Sequence, residues 1–169
     1  MDIEEQYDKI YRFCYYRLGN RQLAEDVTQE TFLRFLDSNY HERGKQIQYL
    51  YTIAGHLCTD EIRKRRWQQV PLDENLPDQG SFPDNLTDRV FLENIMKKLS
   101  EEERDLLVLR YVNEELDSFI CRHMNISRFT LYRKIASIKR KVNRWMEGGE
   151  KFEQNMDGKR WESISKCRQ

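Results

Sequence analysis

The fold class the sequence predicts is all-α: two small helical domains joined by a flexible linker, the second a helix-turn-helix. Apolar residues recur at three- and four-residue spacing in both halves, the period of a helix with one buried face. No stretch shows convincing strand-like alternation. All three prolines, Pro71, Pro77 and Pro83, lie in "QQVPLDENLPDQGSFPDNLTD" together with Gly80, so the middle of the chain reads as an extended tether. In 169 residues that are 38% hydrophobic and 34% charged, two small cores fit better than one large one. The expected divisions are a first lobe at 1–67, an acidic linker at 68–90, a second lobe at 91–146 and a polar tail at 147–169.

In the first lobe, "QYDKIYRFCYYRLGN" predicts a helix ending near Gly19, and "RQLAEDVTQETFLRFLDSN" a second. The third is the clearest, because Ile47, Leu50, Tyr51, Ala54, Leu57, Cys58 and Ile62 share one face and the helix runs into the basic cluster Arg63, Lys64, Arg65, Arg66. The second lobe opens with "LSEEERDLLVLRY", where Ser100 and Glu103 have capping-box spacing and the acids suit a helix N-terminus. A short helix near Asp117–Met124, a turn in which Asn125 tolerates a left-handed conformation, and a helix capped by Ser127 complete a helix-turn-helix pattern.

Charge and cysteine usage narrow the function. The formal net charge is zero, yet eight Lys or Arg and no acid lie between Arg122 and Met146, while five acids face a single Arg between Trp67 and Val90. Cys14, Cys58, Cys121 and Cys167 are scattered without a C-x-x-C pair and read as reduced thiols. His56-x-Cys58 and Cys121-x-His123 are i, i+2 neighbours that diverge on a helix, so no metal is expected. No phosphate loop, nucleophile motif or catalytic carboxylate pair appears; the expectation is a non-enzyme with no cofactor and no small-molecule substrate. The acidic start "MDIEEQYDKI" and the shortness of "LLVL", Leu106 to Leu109, argue against a signal segment or direct membrane insertion, so a cytoplasmic protein is expected.

On a helical wheel, Leu131, Ile135, Ile138, Val142 and Trp145 form one stripe that must face the second core. The opposite side presents Arg133, Ala136, Ser137, Arg140 and Arg144, flanked by Tyr132 and Lys139. A solvated basic face is the plain reading. The absence of i, i+4 acids, the preceding short helix and turn, and small or planar side chains near the N-terminus favour contact with nucleic acid. Lys139, Arg140, Lys141 and Arg144 are expected on phosphates, and Tyr132, Arg133, Ala136 and Ser137 are expected to reach base edges. Phe129 either packs on a thymine methyl or folds back on the turn.

Two separated stretches resemble bacterial RNA polymerase sigma factors of the sigma-70 family. "LAEDVTQETFLRFL" and "IQYLYTIAGHLCTDEIRKRRW" look like the family's second conserved region, and "LSEEERDLLVLRYV" through "NISRFTLYRKIASIKRKV" looks like its fourth. Their order and the short chain resemble the extracytoplasmic-function group. The resemblance implies that Asp26, Gln29, Glu30 and Leu33, on one helix face, dock on the clamp helices of the largest subunit of core RNA polymerase, and by analogy that region four meets the flap. It implies that Tyr40, His41, Arg43, Lys45, Tyr49, Thr52, His56, Arg63, Lys64, Arg65 and Arg66 handle melted minus-ten promoter DNA, with bases flipped and stacked. Arg128, Phe129, Thr130, Tyr132, Arg133, Ala136, Ser137 and Arg140 fall to the minus-thirty-five duplex.

An anti-sigma factor is a further partner the family implies, unidentified by the sequence. Tyr49, Gly55 and His56 depart from common family residues, as do Phe119, Asn125 and Phe129, so an unusual promoter preference is expected. The linker is either an occupant of the RNA exit path or an inert tether. The tail, with Phe152, Trp161 and Ile164, is either a regulator's docking site or a disordered end. A free-standing helix-turn-helix regulator that binds duplex DNA without polymerase is the alternative; it leaves the Asp26 to Leu33 face without a role.

Overall fold

A computed structural model of the chain describes residues 3–38, 40, 44–68 and 93–148. The linker from residue 69 onward, the tail from residue 149 onward, and His41 and Arg43 lie outside the described residues. The chain divides into two compact units, residues 1–80 and 81–169. Every regular element among the described residues is helical.

The first unit packs three helices, each against the other two: α1 (Ile3–Leu18), α2 (Arg21–Asp37) and α3 (Gln46–Gln68). Gly19 ends α1 at φ +61, donating its N–H to the Tyr15 carbonyl at 2.8 Å, a backbone that glycine adopts without strain. Asn20 follows as the N-cap of α2, its Oδ1 accepting from the Leu23 N–H at 2.9 Å. Asn20→Ala is expected to cost about 1 kcal/mol, readable as a lowered thermal midpoint of the full chain.

The core gathers Ile10, Phe13, Cys14 and Leu18 of α1 with Leu50, Tyr51, Ile53, Ala54 and Cys58 of α3. Phe13 meets Tyr51 edge to face at 5.2 Å. Ile47, Leu57 and Ile62, expected on the buried stripe of α3, are half-buried, and Ile53 joins it. Helix α2 buries Ala24, Val27, Thr28 and Thr31, spaced i, i+3, i+4, i+7. The two threonine hydroxyls are satisfied within the helix, on the Ala24 carbonyl at 2.6 Å and the Val27 carbonyl at 2.7 Å. Two arginines tie the unit together. Arg17 Nη1 reaches the Gly55 carbonyl at 3.2 Å, and Arg65 Nη1 donates to the Leu18 carbonyl at 3.2 Å, satisfying a C-terminal carbonyl of α1.

The second unit comprises a helical segment at residues 93–98 (α4), α5 (Glu101–Leu107), a π-helical turn (Val108–Val112), α6 (Asp117–His123) and α7 (Arg128–Gly148). Its capping box has both halves: Ser100 Oγ accepts from the Glu103 N–H at 3.3 Å and the Ser100 N–H donates to Glu103 Oε2 at 3.2 Å. Leu106, Leu107, Val108 and Leu109 are all buried, so the helix here is surrounded on every side. The π turn ends with the Asn113 N–H on the Val108 carbonyl at 2.8 Å, and Glu114 follows in the left-handed region at φ 51.

The turn between α6 and α7 has the expected form. Asn125 takes φ 53, and the Ile126 and Asn125 N–H groups return to the Cys121 carbonyl at 2.9 Å and the Arg122 carbonyl at 3.3 Å, a Schellman arrangement. Ser127 Oγ then accepts from the Thr130 N–H at 3.2 Å and caps α7. Leu131, Ile135, Ile138 and Val142 are buried as their spacing requires. Trp145, expected to extend that stripe, is only half-buried, with Lys98 Nζ 5.4 Å from its ring centroid.

Candidate functional site

Helix α2 places its two faces by arithmetic. Asp26, Gln29, Glu30 and Leu33 repeat the spacing of the buried set two residues later, a rotation of about 200°, so they point away from the core. Asp26 and Gln29 are exposed, and Leu33 is 58% exposed. Leu36 continues the line at 74% exposure. The sequence reading did not single it out, although its position three residues after Leu33 was the available signal.

Asp26, Gln29, Leu33 and Leu36 thus step by three, four and three, the seam spacing by which one helix lies along another. Glu30 sits beside that seam, half-buried, and accepts from Arg34 Nε at 2.7 Å. Gln29 lies beside the hydroxyl of Tyr7, which titrates above its ordinary range. Burial, which disfavours the phenolate, outweighs the opposing influence of Gln29.

On α3, Thr52, His56 and Arg63 are exposed along one line, while Thr59 between them is half-buried and accepts from Arg17 Nη2 at 3.5 Å. Tyr40 stacks on Tyr49 at 4.4 Å with 15° between planes, and Phe35 lies beside both rings at 6.3 and 6.1 Å. The structure thus brings Tyr40 and Tyr49 together at the start of α3, with Lys45 exposed nearby in sequence. The basic cluster is not uniform. Lys64 Nζ pairs with Glu61 at 2.6 Å, Arg63 lies 3.9 Å from Asp60, Arg66 is exposed, and Arg65 has the bond to the α1 terminus described above.

On α7, Arg128, Phe129, Tyr132, Arg133, Ala136, Arg140 and Arg144 are exposed, while Thr130, Ser137 and Lys139 are half-buried. Phe129, at 75% exposure, does not fold back on the turn: the Arg133 guanidinium lies over its ring at 6.0 Å. The Tyr132 hydroxyl donates to Asp117 Oδ2 at 2.8 Å, and Asp117 also pairs with Arg110. Lys141, expected on a phosphate, instead pairs with Glu103, and Lys134 pairs with Glu102 at 2.6 Å. Two acids of the first turn of α5 thus pair with two lysines of α7, while Arg133, Arg140 and Arg144 are exposed on the outward face.

Burial alone raises the Glu103 pKa, but the Lys141 ammonium and the Ser100 backbone N–H outweigh it and hold the carboxyl below its ordinary range. A depressed carboxyl contributes its stabilisation in full at neutral pH and loses it as pH falls from the ordinary glutamate range through the lowered value. Glu103→Gln is therefore expected to lower the thermal midpoint at neutral pH. In strong acid the difference from wild type should vanish, and thermal melts across the acid range check it.

Among the described residues, no group of three or more His, Cys, Asp or Glu could hold a metal ion, and no helix is long and apolar enough to cross a membrane. His56 is exposed and Cys58 buried, so that pair diverges as its spacing demands.

Comparison with known proteins gives a concordant result. Residues 3–68 match the family model for Sigma-70 region 2. The ECF RNA polymerase sigma factor SigW of Bacillus subtilis (strain 168) is 32% identical over 134 residues, which cover 67% of this chain and 70% of SigW. SigM of the same organism is 27% identical over 161 residues, covering 85% of this chain and 97% of SigM. The sigma factor RpoE from Bartonella quintana, solved in complex with the anti-sigma factor NepR, matches with a TM-score of 0.65 at 16% identity, over 86% of this chain and 94% of that one. That last likeness is one of fold. The match to region two ends at residue 68, where α3 ends, and with the SigW identity it places this chain in the extracytoplasmic-function (ECF) group of the sigma-70 family.

Proposed function

We propose that this chain binds core RNA polymerase and directs it to promoters, with its first unit docking on the enzyme and opening the minus-ten element and its second reading the minus-thirty-five duplex. The observation that carries this reading is the coexistence, on one chain, of an exposed helix-docking seam on α2 and a capped basic face on α7 with no acid from Arg128 to Met146. A regulator that acts on DNA alone has use for the second only.

On α2, Asp26 and Gln29 orient the contact and Leu33 and Leu36 provide its apolar area; the partner is the pair of clamp helices of the largest subunit. On α7, Arg133 addresses a guanine, Ala136 and Ser137 permit close approach, and Arg140, Arg144 and Arg128 meet phosphates. Thr130 stands at the helix N-terminus, where backbone N–H groups favour phosphate. Tyr132, held by Asp117, presents its ring from a fixed position. In the first unit, Thr52, His56 and Arg63 face the melted strand, with Tyr40, His41 and Tyr49 as the stacking and edge group and Arg43, Lys45, Lys64 and Arg66 along the backbone. Arg65 supports that surface through α1. The partner of RpoE supports an anti-sigma protein as a partner here too.

The test is specific duplex binding by the full chain with and without core polymerase. Sequence-specific binding that appears only with polymerase is the expected result. Equally tight specific binding by the chain alone contradicts the reading and favours the free-standing regulator.

A further inference from the structure

The exposed aromatic at the start of α7 has no role in packing the second unit. Phe129 lies one turn before Arg133 on the outward face, within two residues of the cap at Ser127, and at 75% exposure it is among the most exposed large apolar side chains described. The Arg133 guanidinium lies over the Phe129 ring at 6.0 Å, and three acids of α5 and α6 that reach α7 have other partners: Asp117 with Arg110 and Tyr132, Glu102 with Lys134, Glu103 with Lys141.

We infer that Phe129 and Arg133 act as one specificity element that reads a guanine together with the methyl group of a thymine in the adjacent base pair. The inference rests on the proposed reading of duplex DNA by α7 and adds to it the identity of one base-pair step. Side chains on a helix lean toward its N-terminus, so Arg133 leans back over the turn that carries Phe129 and the two side-chain ends become neighbours. A guanidinium offers two parallel N–H donors to guanine O6 and N7, and an apolar ring suits the thymine methyl that projects into the same major groove. The aromatic face also limits the rotamers of the arginine and leaves its in-plane donors free, so Phe129 serves Arg133 as a positioning residue as well as touching DNA itself.

The test is transcription in vitro by the full chain with core polymerase. Promoters selected from a library randomised upstream are then rebuilt with single-atom changes at the selected step. Uracil in place of the thymine removes only the methyl, and 7-deazaguanine removes only the N7 acceptor. Wild type is expected to lose about two- to fivefold on the uracil template and about tenfold or more on the deazaguanine template. Phe129→Ala should be indifferent to uracil and lose part of its guanine discrimination, about two- to fivefold. Arg133→Ala should be indifferent to deazaguanine. Phe129→Leu should keep the methyl response and lose the support of Arg133, which a purely structural phenylalanine would not do. Polymerase-dependent starts with the same uracil response in wild type and Phe129→Ala would overturn the pair alone. No polymerase-dependent start from wild type would overturn the promoter reading and the pair with it.

Discussion

Asp26→Ala combined with Gln29→Ala is expected to weaken binding to core polymerase by about thirtyfold or more, the effect of losing roughly 2 kcal/mol from a central helix-helix contact. Promoter choice by the complexes that still form should stay unchanged. Arg133→Ala should do the reverse, lowering discrimination at one promoter position by about 1–3 kcal/mol and leaving core binding intact. The division follows from placement: the first pair is exposed on α2 of the first unit and Arg133 is exposed on α7 of the second. Neither change touches a core, so stability should hold to within about 0.5 kcal/mol in both variants. Polymerase pull-down and start-site distribution, measured on both variants, separate the two effects. Equal loss of both activities in both variants contradicts the assignment.

Ile138→Ala is expected to unfold the second unit and spare the first. Ile138 is fully buried at the middle of α7, and such a truncation costs about 2–5 kcal/mol in transfer and cavity terms. A helical unit of this size has only about 3–5 kcal/mol to lose. Hydrogen exchange resolved by segment should show protection lost across α5 to α7 and retained across α1 to α3. Transcription that depends on the minus-thirty-five element should disappear while core binding survives. Loss of protection in both units would mean that they fold as one.

The second unit was the more legible in sequence because its signals are local. The four-three-four stripe from Leu131 to Val142, the Ser100–Glu103 box, the Ser127 cap and the left-handed Asn125 are set by residues within a turn of one another, and the structure has each of them. What escaped was long-range or chemically disguised. The pairing of Lys141 with Glu103 joins residues 38 apart in sequence, so a reading of α7 alone assigns that lysine to a phosphate. Helix α2 buries Thr28 and Thr31, whose hydroxyls are concealed by bonds to their own backbone, and so its core face does not register as apolar. The outward face of α2 was legible through Asp26, Gln29 and Leu33. Leu36 was missed because a leucine is assigned to a core by default, and only its exposure places it on the outward face beside Leu33. Arg65 was grouped with its basic neighbours, and its bond to the Leu18 carbonyl appears only once α1 and α3 are side by side.

The central claim is that this chain confers promoter choice on a polymerase. Its most direct test is the mapping of RNA start sites made by sigma-free bacterial core polymerase on a linear DNA library, with and without the purified chain. Discrete starts that require the chain and share two upstream elements are the predicted result. Starts that do not depend on the chain, beside specific DNA binding that persists without polymerase, would contradict it.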